Sequence, residues 1–331
     1  MQLEQLGEFA LIDLIKQDTI NKPDSVIVGI GDDAAVLNST PGQLQLVTTD
    51  MLVEKVHFDL GTSTAWQLGY KAIGVNLSDI AAMGGIPRNI VVSIALPKEL
   101  PVDFVVNLYD GMKEICREFD VNIVGGDTVS SPHGLIINVT VIGEVDPKQL
   151  QRRSGAREGE LVVITGTLGD SGCGLDLLIK GNWEGYESAA LLVERHLMPK
   201  PQVHIGPLLA AFGSTSMNDI SDGLASEVNE IALASHVGMR IYREKIPLSS
   251  ELRTAAALLE KSPVEYALYG GEDYQLLFTI PPEQFNQLVE ADIGVPLTVI
   301  GEVINQSQGT LLVDQDDQTS KLEAKGYNHF R

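Results

Sequence analysis

Apolar residues recur at helical spacing at Leu3, Leu6, Phe9, Ile12 and Ile15, so an amphipathic helix is expected over residues 3–16. Strand-like runs follow at 26–30 and 44–49. A helix rich in small residues is expected over 64–83, then a strand over 89–96, a helix over 103–119, and strands near 121–125 and 135–142. Residues 146–160 break the rhythm. Pro147, Arg152, Arg153, Gly155 and Gly159 make this segment polar and turn-rich, which places a domain boundary there and divides the chain into 1–148 and 149–331. Beyond it, strands are expected over 161–165, 216–220, 238–242, 273–280, 297–303 and 310–314. The intervening helices fall over 170–180, 187–196, 202–212, 223–236, 250–261 and 282–291. Helices and strands alternate throughout, which indicates an α/β (α+β) chain.

A chain of 331 residues exceeds what one hydrophobic core usually holds, in keeping with two domains. No apolar run is long enough to span a bilayer. The opening Met1-Gln2-Leu3-Glu4-Gln5 has no basic region followed by an apolar stretch, so a cytoplasmic location is expected. Cys116 and Cys173 stand apart without a C-x-x-C pattern and are expected to be ordinary buried thiols. The formal net charge of −22 repels nucleic acid and anionic membrane, so neither is expected as a partner. The same charge repels phosphorylated small molecules. An enzyme acting on them would need cations in its site.

The aspartates carry the chemical signal. Gly29-Ile30-Gly31-Asp32-Asp33 follows one expected strand, Thr48-Thr49-Asp50 ends another, Gly125-Gly126-Asp127-Thr128 ends a third, and Asp219-Ile220-Ser221-Asp222-Gly223 lies between a strand and a helix. Ligands of α/β folds gather at strand ends, glycines let backbone amides approach phosphate, and a nearby carboxylate reaches the same oxygens through Mg²⁺. Each block alone reads first as a turn or a helix cap, and only four of them in one chain turn the balance toward a site. Asp79 differs, because it falls inside a helix otherwise rich in Ala, Ile, Leu and Met, where a carboxylate is costly unless paired or bound to metal. No G-x-x-x-x-G-K-[ST] loop, H-R-D or D-F-G set, or G-x-G-x-x-G turn is present, so ATP would need a different scaffold.

Taken in order, G-I-G-D-D-A-A (29–35), T-T-D-M-L-V (48–53), H-F (57–58), N-L-S-D-I-A-A-M-G (76–84), G-G-D-T (125–128), R-S-G-A (153–156), S-D-G-L (221–224), G-G-E-D-Y (270–274) and G-Y-N-H-F (326–330) resemble the thiamine-monophosphate kinase family. The resemblance runs from about residue 7 to 330. It implies a two-domain aminoimidazole ribonucleotide synthetase-like fold, with an N-terminal metal- and ATP-binding domain whose strands form a dimeric β-barrel and a C-terminal α/β domain. The activity it implies is ATP-dependent phosphorylation of thiamine monophosphate to thiamine diphosphate by a homodimer, with several Mg²⁺ ions and ATP as co-substrate.

Residue by residue, the resemblance makes Asp33, Thr48, Thr49, Asp50, Asp79, Asp127, Asp219 and Asp222 metal ligands. It makes Tyr109, Gly126, Arg153 and Ser221 nucleotide contacts, and His57, Glu272 and Tyr327 contacts to thiamine phosphate. A carboxylate and an aromatic face suit a cationic thiazolium. Lys55 departs from the pattern, since the position before Val56-His57-Phe58 is commonly glycine in the family. No His or Cys sits in a phospho-acceptor motif, so transfer without a covalent nucleophile is expected. A sister ATP-using enzyme of the superfamily and a non-catalytic Mg-nucleotide-binding protein are the competing readings.

Overall fold

The structure is a computed structural model in which residues 2–31, 33–181, 183 and 187–326 are described. Tyr327 lies outside the described residues. The chain forms two compact units, Met1–Ile80 with Gly85–Lys148, and Ala81–Gly84 with Gln149–Arg331.

The first unit opens on two short helices, α1 (Leu3–Leu6) and α2 (Glu8–Ile15). The single helix expected over 3–16 is split because Gly7 takes a left-handed φ of 82°. Strands β1 (Val26–Val28) and β2 (Val36–Leu37) pair with each other. They are followed by β3 (Leu44–Val53), α3 (Ala65–Ala82), β4 (Ile86–Pro97), α4 (Val102–Glu118), β5 (Asn122–Ser131) and β6 (Ile136–Val145). The four long strands form one sheet in the order β3-β6-β4-β5, with β4 and β5 parallel and the other pairs antiparallel. Alternation along these strands separates two faces. Ile137, Val139 and Val141 of β6 and Ile90, Val92 and Ile94 of β4 are buried, whereas the residues between them are half-exposed or polar. Helices α3 and α4 cross without room for side chains. A Cβ on Gly69 would lie 1.9 Å from the Leu108 carbonyl oxygen, and one on Gly111 1.9 Å from that of Trp66.

The second unit is built on seven strands in the order β13-β12-β9-β11-β7-β10-β8. These are β7 (Leu161–Thr165), β8 (Ser216–Asp219), β9 (Gly238–Tyr242), β10 (Leu276–Ile280), β11 (Leu297–Ile304), β12 (Thr310–Val313) and β13 (Thr319–Lys321). Every neighbouring pair is antiparallel except β12 with β9. The central strands are apolar without alternation because both faces are covered. Val162, Ile164 and Leu277 join a core with α8 (Leu224–Ser235) and α10 (Pro263–Tyr269), while Val163, Leu276, Phe278 and Ile280 join another with α7 (Ile205–Ala211) and α11 (Pro282–Glu290). Helices α5 (Asp170–Lys180), α6 (Glu187–Leu197) and α9 (Ser250–Leu258) share a third cluster around Cys173, Leu192 and Leu252. Among the described residues, no helix is long and apolar enough to cross a membrane.

Candidate active site

Strand alternation decides which of the Thr48-Thr49-Asp50 side chains meet α3. Thr48 and Asp50 stand in register with the buried Val141 and Val139 of β6, on the face that α3 covers. The Thr48 hydroxyl donates to Asp79 Oδ2 at 2.5 Å, and the Asp50 amide donates to Oδ1 of the fully buried Asn76 at 2.9 Å. Asn76 is held in turn by donating to the Ala72 carbonyl at 3.0 Å, one helical turn back. Burial first, then the Asp79 carboxylate, push the Asp50 carboxyl up from 3.8 to about 6. The two carboxyl groups thus oppose one another's ionisation on the face that α3 covers, a cost that a cation relieves. Thr49, between them, turns to the other face, where it donates to the Val139 carbonyl at 3.0 Å and accepts from Asn138 Nδ2 at 3.1 Å.

The third strand-end aspartate is not in this group. Asp127 is exposed and in register with Ser93, on β5 at the opposite edge of the sheet from β3. Three strand spacings separate the two edges, ~14 Å along the sheet at about 4.8 Å each. Gly126 lies against the β4 backbone, since a Cβ there would fall 2.0 Å from the Val92 carbonyl oxygen. Asp33 is exposed, two residues after Gly31 with its φ of 129°. Tyr109 is buried at 5% exposure in α4, and burial raises its phenol.

His57 sits in a tight turn after β3. The Val53 amide donates to its Nδ1 at 3.0 Å, which assigns the ring proton to Nε2. Lys55, in the same turn, has a φ of 66°, and its amide donates to the Phe58 carbonyl at 2.8 Å. That left-handed conformation accounts for a glycine preference at this position.

In the second unit, two loops brace each other. One links β8 to α8 and carries Asp219, Ser221 and Asp222; the other, residues 270–275, precedes β10. Glu272 N donates to Ser221 O at 2.7 Å, Tyr274 N to Ile220 O at 2.9 Å, and Ile220 N to Gln275 O at 2.8 Å. Left-handed φ values at Gly271 (70°), Glu272 (57°) and Tyr274 (49°) make this fit possible and delay β10 to Leu276, where the pattern predicts a strand from 273. Gly271 is confined by space as well, because a Cβ would lie 2.5 Å from Ser221 O. Arg153 is half-exposed; its Nε donates to Asn218 Oδ1 at 3.1 Å and lies 3.3 Å from Glu230.

Asp219 is buried, and Glu227 of α8, at 1% exposure, faces it. Glu227 Oε1 accepts from Asp222 N at 2.8 Å, whereas Oε2 is buried without a hydrogen-bond partner. Burial foremost, with Asp219 and Asp222 adding to it, raises the Glu227 carboxyl to about 8. A cavity of about 310 Å³ in this unit is lined by Thr167, Asp170, Ser171, Arg195, Asp273 and Gln275, among others, and by none of the residues selected from the sequence.

These donors suit a hard cation. Among the described residues no three His, Cys, Asp or Glu side chains converge as a metal cage. Mg²⁺ usually takes one or two carboxylates and completes its shell with water and ligand phosphates. The Asp50–Asp79 pair with the Thr48 hydroxyl offers that donor set, and Glu227, buried near Asp219 with Oε2 lacking a hydrogen-bond partner, marks a second place where ionisation is opposed.

Residues 31–145 match the family model of AIR synthase related protein, N-terminal domain, and residues 157–314 match that of the C-terminal domain. The thiamine-monophosphate kinase of Bacillus subtilis (strain 168) is 40% identical over 330 residues, covering 98% of this chain and all of that one. The chain belongs to the thiamine-monophosphate kinase family. A crystal structure of the family from Stenotrophomonas maltophilia K279a superposes with a TM-score of 0.84 at 34% identity, covering 97% of this chain and 99% of that one. The structure of AaThiL complexed with AMPPCP and TMP gives a TM-score of 0.80 at 37% identity, covering 100% and 99%.

Four further side chains next to the residues assigned by this thiamine-monophosphate kinase likeness were not singled out in the sequence. Asn76 and Asp273 stand within the N-L-S-D and G-G-E-D-Y motifs, but what Asn76 does depends on its sharing a helix face with Asp79. Glu227 resembles any acidic residue of a first helical turn. Asp273 accepts from Gly169 N at 2.6 Å and Ser171 N at 3.2 Å, and burial pushes its carboxyl up to about 7. His196 is buried near the end of α6 and carries no sequence signal of its own.

Proposed function

We propose that this protein transfers the γ-phosphoryl group of ATP to the phosphate of thiamine monophosphate, forming thiamine diphosphate and ADP. The observation that carries the reading is full-length likeness, at 37% identity, to a protein whose structure holds AMPPCP, an ATP analogue, together with TMP. Thr48, Asp50 and Asp79, with Thr49, Asp33, Asp127, Asp219 and Asp222, are assigned to holding Mg²⁺. When bound, Mg²⁺ supplies charge neutralisation between the two anionic reactants. Gly126, Tyr109, Arg153 and Ser221 are assigned to the nucleotide. His57, Glu272 and Tyr327 are assigned to thiamine phosphate, the Glu272 carboxylate as the opposite charge to the cationic thiazolium.

Direct transfer is supported by the state of the possible nucleophiles. His57 Nδ1 is already occupied by the Val53 amide. Burial raises both thiols, Cys173 to about 12, so neither supplies a thiolate near neutral pH. An oxygen of the acceptor phosphate bonds to the γ-phosphorus while the bond from that phosphorus to the β–γ bridging oxygen breaks, and the electron pair leaves on ADP. The residues of the chain align the partners and exclude water; none forms a covalent intermediate. Coupled ADP release with thiamine monophosphate tests the activity, and inversion at a chiral γ-phosphorus is the outcome expected of a single transfer.

A homodimer built on residues 1–148 belongs to the same proposal. It is supported by two long strands, β3 and β5, that stand at the edges of the sheet among the described residues, and by exposed apolar side chains on them, Val47 at 68%, Met51 at 53% and Val129 at 49%. Pairing such edges between copies would close the sheets into a barrel and bring Asp127 of one copy toward Asp50 of the other. Sedimentation at micromolar concentration tests it; a species of 35.7 kDa alone would refute it.

A further inference from the structure

The backbone at Glu272 is rigidly placed by its left-handed φ and by donation to Ser221 O, yet its side chain has three rotatable bonds and is 29% exposed. Something must aim the carboxylate. His196 Nδ1 lies 3.3 Å from Glu272 Oε2, and the ring is buried, with 6% of its side chain exposed. The same Nδ1 is 3.1 Å from Ser171 Oγ. An ionised carboxylate only accepts, so an attractive contact requires the proton on His196 Nδ1. Ser171 is itself fixed, because its amide donates to Asp273 Oδ1 at 3.2 Å while Gly169 N donates to Oδ2 at 2.6 Å. A line of hydrogen bonds therefore runs from Asp273 through the first turn of α5 to the imidazole at the end of α6, and from there to Glu272.

We infer that His196 is a positioning residue that orients the Glu272 carboxylate toward the cationic ring of the acceptor, and so sets the affinity for thiamine phosphate without touching it. The inference rests on the assignment of Glu272 to the acceptor made above. A histidine that only filled the core would leave the two substrates equally affected when replaced. A positioning histidine separates them, because it meets the Glu272 side chain, whereas Ser221, assigned to the nucleotide, meets only the Glu272 main chain. Asparagine at this position places an N–H donor where Nδ1–H lies and leucine does not, so the pair of substitutions isolates the hydrogen bond from the volume.

The test is steady-state kinetics on the full chain with both substrates varied, using His196→Leu, His196→Asn and Glu272→Gln. His196→Leu should raise KM for thiamine monophosphate roughly tenfold, the scale of a lost hydrogen bond to a charged group, with KM for ATP changed less than about twofold. His196→Asn should return the acceptor KM to within about threefold of the parent. An unchanged acceptor KM in His196→Leu, a parallel rise for both substrates, or an Asn variant as impaired as Leu overturns the inference. If His196→Leu does not fold, Ser171→Ala provides the same readout, with a rise of about twofold to threefold expected and no rise overturning the inference. Glu272→Gln separates the two levels. A normal acceptor KM there removes the Glu272 assignment and the inference with it, whereas a raised KM beside a normal His196→Leu removes the inference alone.

Discussion

Without divalent cations, Asp50→Asn should make the protein more stable. Burial and the neighbouring Asp79 raise the Asp50 carboxyl from 3.8 to about 6, so its ionised form is disfavoured in the folded state. Because the folded value lies above the unfolded one, this destabilisation is absent below about pH 3.8, where the carboxyl is protonated in both states. It grows between about pH 4 and 6 and is complete above that range. At about 1.4 kcal/mol for each tenfold difference, the full effect is roughly 3 kcal/mol. The amide keeps the shape of the side chain. The bonds to Asn76 and from Asn138 are made by the Asp50 main chain and survive the change. Urea unfolding in EDTA near pH 8 should therefore show Asp50→Asn more stable by about 1–3 kcal/mol, with the gain vanishing near pH 3.5. Excess Mg²⁺ should narrow or reverse the order, because only the parent keeps both carboxylates. A variant no more stable than the parent near pH 8 in EDTA, or a gain independent of pH, refutes the reasoning.

Asp127→Ala should lower turnover by about 100-fold or more while leaving the melting curve unchanged, since its exposed side chain supports no packing; normal activity at limiting Mg²⁺ would remove it from the site. Gly111→Ala should cost about 1–3 kcal/mol in thermal or urea unfolding, because the new Cβ meets the Trp66 carbonyl and must push α3 from α4. Lys55→Gly should raise the melting temperature by roughly 1–3 °C with turnover unchanged, as it relieves a left-handed backbone at an exposed position; a fall would show that the Lys55–Asp59 ion pair matters more.

Much of the fold was legible because most of the strands are covered on one or both faces and so carry an apolar pattern, whereas β13, Thr-Ser-Lys and exposed throughout, carries none. The run Leu276–Ile280, apolar throughout, reads as a buried strand and is one. Breaks were harder. Gly7 interrupts a helix whose apolar spacing continues across it, and α10 falls in a stretch, 262–272, to which the pattern assigns no element. Of the residues the sequence marks, Thr48 bonds Asp79 and Asp79 acts on Asp50, but adjacency in sequence hid that Thr49 faces away. It also hid the edge-to-edge separation of Asp50 from Asp127, which follows from strand order and from no local signal. Asp273 and His196 meet partners distant in the chain, and Glu227 meets its partner across a loop whose course only the fold decides, so their residue types alone say nothing.

The opposite-edge placement of Asp50 and Asp127 bears on inheritance. If each working centre draws on β3 of one copy and β5 of another, two defective alleles, one altered at Asp50 and one at Asp127, would not be equivalent. A mixed pair carries one centre with both lesions and one with neither. Random exchange between the two defective proteins would restore about a quarter of parental activity, because half the pairs are mixed and each has one sound centre. Two alterations at the same edge, such as Asp50 and Thr48, would never rescue one another.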